Sequence, residues 1–487
     1  MHKDTVAILS WNVSHNALGR AYMLAEVLSV DYNVRLIGFL FEEHGSSVWG
    51  PVKNGAIQVE CFPGGYYPEF AARVESIAAD LTVDLIIVCK PRMPSLHLGL
   101  LVKAMHHKPM LLDIDDYEPS FFNAQRAYSG NDLVTPYSKV WTGFAELFIP
   151  YADQVLVAST ALQEKYGGTI IPHARDELLF RPELYDRDKR RGELGIALTD
   201  KVVLFLGTPR KHKGLFELMD AIVQCNNASY KLCVIGSFPD AGIKEKLQEL
   251  GGEQLLLYPD QPFEEIPKNL VIADAVCLLQ DVQSDVSKYQ LPAKAIDAIA
   301  MGIPVLAFPA PPLKGLIAED LVMPTSPESL ARDLNKVLTA ANSFKEKQLE
   351  KRPLFLQEYS YGAIREKMHG IINDLPTNPI PPPRSVFSNI NAQIQLLVDI
   401  NKQLEKEHER NQSQRVKIKQ LQEQRKSLQG QRKSLQDQRI DLQGKLKVLK
   451  RDLGLAEQRL RAIQQSRTWR YTWPLRKMAD LCKRAMR

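Results

Sequence analysis

The chain has 487 residues, with 62 Lys+Arg against 57 Asp+Glu and a formal charge of +5. That length allows two or three domains and readily supplies two cores. The charge is split: residues 381–487 carry 25 Lys+Arg and 10 Asp+Glu, a balance of +15, which leaves residues 1–380 at −10. An acidic globular part with a strongly basic tail suggests an anionic partner for the tail: lipid headgroups, nucleic acid or an acidic protein.

The six cysteines, Cys61, Cys89, Cys225, Cys233, Cys277 and Cys482, are scattered, with no Cys-x-x-Cys pair. Reduced thiols are expected, and a structural zinc site is not. The opening MHKDTVAILSWNV has too short an apolar run for a signal peptide, and no run approaches a bilayer span. The expectation is a cytoplasmic chain that meets a membrane only through its surface.

Taken in order, residues 6–11 read as a buried strand and 20–28 as a helix, joined by a loop that ends in Gly19 and Arg20. Strands recur at 34–39, 57–61, 85–89 and 110–114, with helices between them such as 70–79. This alternation predicts a doubly wound parallel sheet, whose ligands bind at strand carboxyl ends. Two polar clusters fall there: Lys90-Pro91-Arg92, and Asp113-Ile114-Asp115-Asp116 with Tyr117 and Glu118. Carboxylates so spaced can hold magnesium or manganese, but no phosphate-binding loop precedes them to complete such a site. Lys90, Asp113, Asp115 and Asp116 are candidates for catalysis, with one aspartate as acceptor ligand or general base. The alternative is a strand-end cap that orders the next loop.

A strand at 151–159, capped into a helix by Ser159 or Thr160, and a further segment at 169–173 lead to the second half. The stretch 183–193 is charged and reads as solvent-facing. Residues 201–207 form a buried strand, followed by the basic loop Thr208-Pro209-Arg210-Lys211-His212-Lys213-Gly214 and a helix at 215–224. Cations crowded before a helix N-terminus repel it unless an anion such as a diphosphate sits among them. The alternative is a solvated basic loop. Strands follow at 231–235, 254–258, 275–279, 305–308 and 321–323, and Gly236 and Tyr258 end two of them. In SDVSKYQLPAKAIDAIAMGIPVLAFP a helix opens near Pro292 and stops at Gly302-Ile303-Pro304. Lys294 and Asp297 share one face near the helix N-terminus, where anions are favoured. Helices at 327–340, with Ser326 as N-cap, and at 360–373 close the globular part.

Strand-Gly-x-x-x-x-x-Lys-Gly followed by Pro-x-Lys-x-x-Asp-Ala-x-Ala-x-Gly-x-Pro-Val resembles the C-terminal half of family 4 glycosyltransferases of the GT-B fold. The resemblance runs over roughly residues 5–375. It implies two doubly wound Rossmann-like α/β domains, a nucleotide-sugar donor, no bound metal or other cofactor, and retention of anomeric configuration. Arg210 and Lys213 match the family's diphosphate-binding pair. Gly19 and Arg20 match its first loop, and Gly236 and Tyr258 its base-binding strand ends. The usual arginine after the strand glycine is Thr208 here. The family's two glutamates eight apart fall on Tyr289 and Asp297. Asp297 keeps the chemistry for ribose hydroxyls, Tyr289 does not act as a carboxylate, and Lys288 and Gln290 flank it as candidates to compensate.

Residues 375–388 form a proline-rich linker. Beyond it, leucines recur every seven residues at Leu421, Leu428, Leu435, Leu442 and Leu449, and QRKSLQG/QRKSLQD/QRIDLQG repeats one heptad. A coiled coil over 389–465, self-associating or with another chain, is expected. The last segment, 466–487, interleaves Trp469, Tyr471 and Trp473 with arginines and then forms a short basic amphipathic helix, a pattern suited to a membrane interface. It is similar to tails of bacterial surface-polysaccharide glycosyltransferases. Single-strand nucleic acid binding competes for such a pattern, but no recognition fold accompanies it.

The expectation is therefore an acceptor domain over 1–175 and a donor domain over 176–374. The protein would sit on the inner face of a bacterial plasma membrane and pass a sugar to a lipid-linked glycan in polysaccharide or lipopolysaccharide assembly. The rivals are a GT-B nucleotide-sugar epimerase and a scaffold that has lost catalysis.

Overall fold

The structure is a computed structural model that describes residues 3–122, 130–210, 213–238, 240–424 and 443–458. The chain divides into two units, Met1–Asp399 and Ile400–Arg487.

The first unit holds two parallel sheets. Strands β1 (Thr5–Ser10), β2 (Asn33–Leu40), β3 (Val59–Pro63), β4 (Leu85–Cys89), β5 (Met110–Ile114), β6 (Gln154–Val157) and β7 (Thr169–Ile170) are ordered β3-β2-β1-β4-β5-β6-β7. Strands β8 (Lys201–Leu206), β9 (Tyr230–Ile235), β10 (Leu255–Tyr258), β11 (Ala275–Leu278), β12 (Val305–Ala307) and β13 (Met323–Pro324) are ordered β10-β9-β8-β11-β12-β13. The central strands, such as LIIVC in β4, are apolar throughout because helices cover both faces of the sheet. In each sheet the winding reverses beside the first strand, between β1 and β4 and between β8 and β11. Such a reversal leaves a crevice at the strand carboxyl ends.

The strands fall where the apolar runs place them, with β3 and β13 each starting two residues later than expected. Two helices had no periodic signal: Met93–His106, buried on nearly every side, and Ala341–Tyr359, which is mostly charged and contains Pro353. The charged stretch 183–193 is largely solvent-facing, as expected, with Arg191 as the exception. Its helix, Arg187–Glu193, buries Arg191, which donates to Asp274 at 2.8 Å and to the Ile272 and Asp200 carbonyls. The helix expected from 327 starts at Leu330, and Ser326 instead ties the preceding turn by accepting from Ser329 N–H at 3.3 Å.

Helix Tyr361–Asn373 returns to the first domain. Ile364 and Met368 are buried in the same core as Leu24, Leu28 and Ile87, and Tyr361 donates to Glu26 at 2.7 Å. Where the chain passes between the domains its two crossings run side by side. Arg175 N–H donates to Tyr359 O and Tyr361 N–H to Arg175 O, each at 3.0 Å.

Helix Arg384–Gln424 starts inside the expected linker and buries Val386, Ile390, Ile394, Leu397 and Val398. In the second unit, residues 443–458 are helical, with Leu446, Leu449 and Leu453 exposed. Leu428, Leu435, Leu442 and the aromatic segment 466–487 lie outside the described residues. No described helix is long and apolar enough to cross a membrane.

Candidate functional site

At the exits of β4 and β5 the first domain is already neutralised. Lys90 adopts φ +69 and extends Nζ to Asp115 at 2.7 Å, Asp116 at 2.8 Å and Glu118 at 3.0 Å. Burial opposes its charge, but the three carboxylates outweigh that and hold Lys90 well above the usual lysine range. Burial pushes Asp115 up to about 7 against the pull of Lys90. Asp116 is buried too, yet Lys90 and a hydrogen bond from Gln290 draw it below the ordinary carboxylate range. Asp115, Asp116 and Glu118 are spaced closely enough to hold a metal ion, and the Lys90 ammonium occupies that position as their cation.

Several sequence expectations change here. Lys90 is committed to its cage and is a structural cation rather than a catalyst. Asp113 is fully buried, with both oxygens bound by Arg20 at 2.7 and 2.9 Å. The remaining N–H groups of Arg20 go to the Ile171 and Pro172 carbonyls at 2.7 and 2.9 Å. This saturated pair ties β5 to the first helix and to the end of β7, so Asp113 is not placed as a base nor Arg20 as a donor ligand. Gly19 lies inside helix Leu18–Ser29, packs on Trp49, and spends its N–H on Asn16 O at 3.1 Å.

The second domain is built the opposite way. β8 ends in Gly207 at φ +117, and a Cβ on Gly236 would come within 2.2 Å of the Gly207 carbonyl, so β8 and β9 exit unusually close together. Gly214, at φ +69, caps helix Leu215–Gln224, and a Cβ there would meet the Leu279 carbonyl at 2.3 Å. Gly214 has no side chain to cap this helix, so among the described residues its first-turn N–H groups stay open to a ligand. Arg210 is exposed on the loop before it. Lys213 stands beside the helix start, and Lys294 reaches in from helix Ala293–Ala300 with Nζ 4.3 Å over the Phe205 ring.

Neither Lys213 nor Lys294 forms an ion pair with a carboxylate among the described residues. Burial, with the positive charge of Arg210 close by, pushes Lys213 down to about 8. Burial and then Lys213 push Lys294 down to about 7. Two half-buried ammonium groups at an open helix N-terminus make an anion site.

The domains meet over this site. Gln290 donates to Asp116 at 2.6 Å and accepts from Lys213 Nζ at 3.4 Å. Ser159 Oγ donates to the Tyr289 carbonyl at 2.8 Å, and the Tyr289 and Tyr117 rings lie 5.0 Å apart with Lys165 over both. Tyr289 is therefore an inter-domain contact. Lys288 turns away and pairs with Asp285 at 2.9 Å on an exposed face, which removes it from the donor site. Tyr258 donates to Leu194 O at 2.6 Å and packs against the core, so its ring is not a base platform. Nearby, Asp260 accepts from Ser237 N–H at 2.9 Å and orders the loop after Gly236. One oxygen of Asp297 is bound by Arg175 at the crossing.

Sequence reasoning missed Gln280 and His173. Gln280, just past β11, is buried and its Nε2 has no partner among the described residues. His173 is held neutral by burial and by Arg20 and Arg175. No periodicity or motif marks Gln280, and His173 shows only within Pro172-His173-Ala174 at the passage between the domains. An open recess of about 350 Å³ lies along β2 and β3. Its arginines are spent on Glu60 and on the Pro63 and Gly64 carbonyls, so it is not the site.

Residues 186–352, in the second domain, match the family model for glycosyl transferases group 1. With the two-domain GT-B architecture around it, this domain makes the protein a glycosyltransferase. Among solved structures, Anabaena HepE, crystallised with UDP and glucose, is 18% identical with TM-score 0.57, covering 77% of this chain and 100% of its own. Sucrose-phosphate synthase from Thermosynechococcus elongatus is 16% identical with TM-score 0.55, covering 76% and 98%. WaaG, a glycosyltransferase involved in lipopolysaccharide biosynthesis, is 15% identical with TM-score 0.54, covering 76% and 100%. At these identities the likeness is one of fold. No curated protein matches the chain by sequence.

Proposed function

We propose that the protein transfers a sugar, with retention of configuration, from a nucleotide-sugar to a lipid-linked glycan in bacterial polysaccharide or lipopolysaccharide assembly. The observation that carries the donor half is the pair Lys213 and Lys294, without carboxylate partners, at the open N-terminus of helix Leu215–Gln224. Glycosyl transfer leaves charge on the departing diphosphate, and fixed cations and backbone N–H groups there stabilise it. Protein cations meet that charge, so no metal is assigned to the site. The second oxygen of Asp297 would take a ribose hydroxyl, and the loop joined by Ser237 and Asp260 would hold the base. HepE's complexes with UDP and UDP-glucose support a uridine donor, and the role of WaaG supports the pathway. The basic aromatic tail would bind anionic lipid and the heptads would pair in a coiled coil, a reading that rests on composition and spacing.

Calorimetric titration of the full chain with UDP, GDP and dTDP tests the donor site. One nucleotide should bind, and Lys213→Ala should weaken it by roughly 10- to 100-fold, the worth of a hydrogen bond to a charged group. A folded protein that binds none of the three would move the assignment to a scaffold. The observation favouring that second reading is Tyr289, which stands where a carboxylate is usual and serves as an inter-domain contact.

A further inference from the structure

A second group of uncommitted polar atoms lies in the first domain, on the loop leaving β1. Trp11 is 4% exposed and Asn12 fully buried, and neither Trp11 Nε1 nor Asn12 Nδ2 has a hydrogen-bond partner among the described residues. His15 Nε2 is buried and unpartnered as well. Unmade hydrogen bonds of this kind cost about 1–3 kcal/mol each, and native proteins hold only a few per hundred residues. Three within five residues therefore point to a missing ligand.

All three are donors. Asn12 Oδ1 accepts from Ser14 N–H at 2.6 Å and from Ser14 Oγ at 2.7 Å, which fixes the amide with its NH₂ on the other side. The Ala17 backbone N–H donates to His15 Nδ1 at 3.1 Å. The Asn16 side chain also lies 3.1 Å from Nδ1, but that exposed amide can rotate and the backbone cannot. The neutral His15 ring therefore carries its proton on Nε2.

The surroundings are short of free acceptors, and the cations near them, Arg92 and Lys90, are already paired. The His15 ring lies 5.1 Å from Trp11 and 4.8 Å from His44, and the Arg92 guanidinium is 4.6 Å over Trp11. Glu43 is occupied by the Tyr66 and Tyr137 hydroxyls at 2.8 Å each, and Glu118 by Arg92 and Lys90. Burial first, then His44, Arg92 and Lys90, push His15 down to about 4. Among the described residues the His44 ring is the one neighbour with an uncommitted acceptor nitrogen, so a sugar hydroxyl could answer the three donors only in part. An oxyanion only accepts.

We propose that these donors on the loop after β1 bind an oxyanion carried by the acceptor substrate, either the carboxylate of an acidic sugar or a phosphate. The inference rests on the transferase reading for the word acceptor, but the site itself is independent of Lys213 and Lys294.

The test follows the imidazole nitrogen signals of His15 and His44 in full-length protein between pH 4 and 8, with UDP held saturating so that the donor site is filled. Glucuronate, inorganic phosphate and neutral glucose are added in separate samples. Glucuronate or phosphate should raise the His15 midpoint by about 1 pH unit or more, the usual effect of a nearby opposite charge. A response to glucuronate alone assigns an acidic sugar, and one to phosphate alone a phosphorylated acceptor. No shift with either anion, or an equal shift with glucose, overturns the proposal. Trp11→Phe, which keeps the ring and removes the N–H, should weaken the active probe about tenfold while UDP binding stays unchanged. Loss of UDP binding in wild type would instead count against the donor reading.

Discussion

Lys90 and Lys294 both sit at the carboxyl edge of a parallel sheet, each close to aspartates, and their surroundings could hardly differ more. Around Lys90 three carboxylates lie within 3.0 Å, and its charge is fixed. Around Lys294 there is an aromatic ring, a second lysine, and an aspartate already held by Arg175. A buried cation that is fully paired belongs to the architecture, whereas one left unpaired is a cost that only a ligand removes. The first domain thus keeps its charge balanced internally, and the second holds an excess for its substrate.

The sharpest way to break this comparison is to remove each lysine in turn. Lys90→Met strands three carboxylates and should destabilise the protein by about 3–5 kcal/mol in denaturant unfolding, as losing one partner of a buried pair does. Lys294→Met should do the reverse, leaving the empty protein as stable or more stable while nucleotide binding is lost. If both variants unfold alike, the distinction fails.

A smaller effect comes from pH. Folding depresses Lys213 to about 8 and Lys294 to about 7, below the value of roughly 10.4 in an unfolded chain. In that window the unfolded chain binds more protons, so the empty protein should gain stability as pH rises from about 7 toward 10. Diphosphate binding needs both charges, so affinity should fall over the same range. Titration of UDP at pH 8 in buffers of different ionisation heat should show uptake of about one proton.

The smallest expected effect is at Gln290, which joins Asp116 to Lys213. Gln290→Ala should leave the fold intact and raise the donor KM by about three- to tenfold, one net hydrogen bond's worth. An unchanged KM would make the bridge incidental.

How far the sequence could be read depended on the range of the interactions. Apolar runs and their glycine and proline boundaries marked twelve of the thirteen strands, because each is a local pattern, while the two-residue β7 fell in a segment not read as a strand. Lys213 and Lys294 were legible as charges placed at helix starts. The Arg20–Asp113 pair was not, since its partners lie 93 residues apart and each looks like a surface charge when read alone. Tyr289 showed only as a departure from a pattern. Its contacts with Ser159 and Tyr117 come from the other domain, and no local rule gives them.

Helix Tyr361–Asn373 has a consequence for the order in which the protein is made. Ile364 and Met368 close the core of the first domain, yet they are translated only after the whole second domain. A nascent chain of about 360 residues has every strand of both sheets but leaves an apolar groove open beside helix Leu18–Ser29. The domain that begins folding first is therefore the last to be finished, and the ribosome must complete the donor half before the acceptor half can seal.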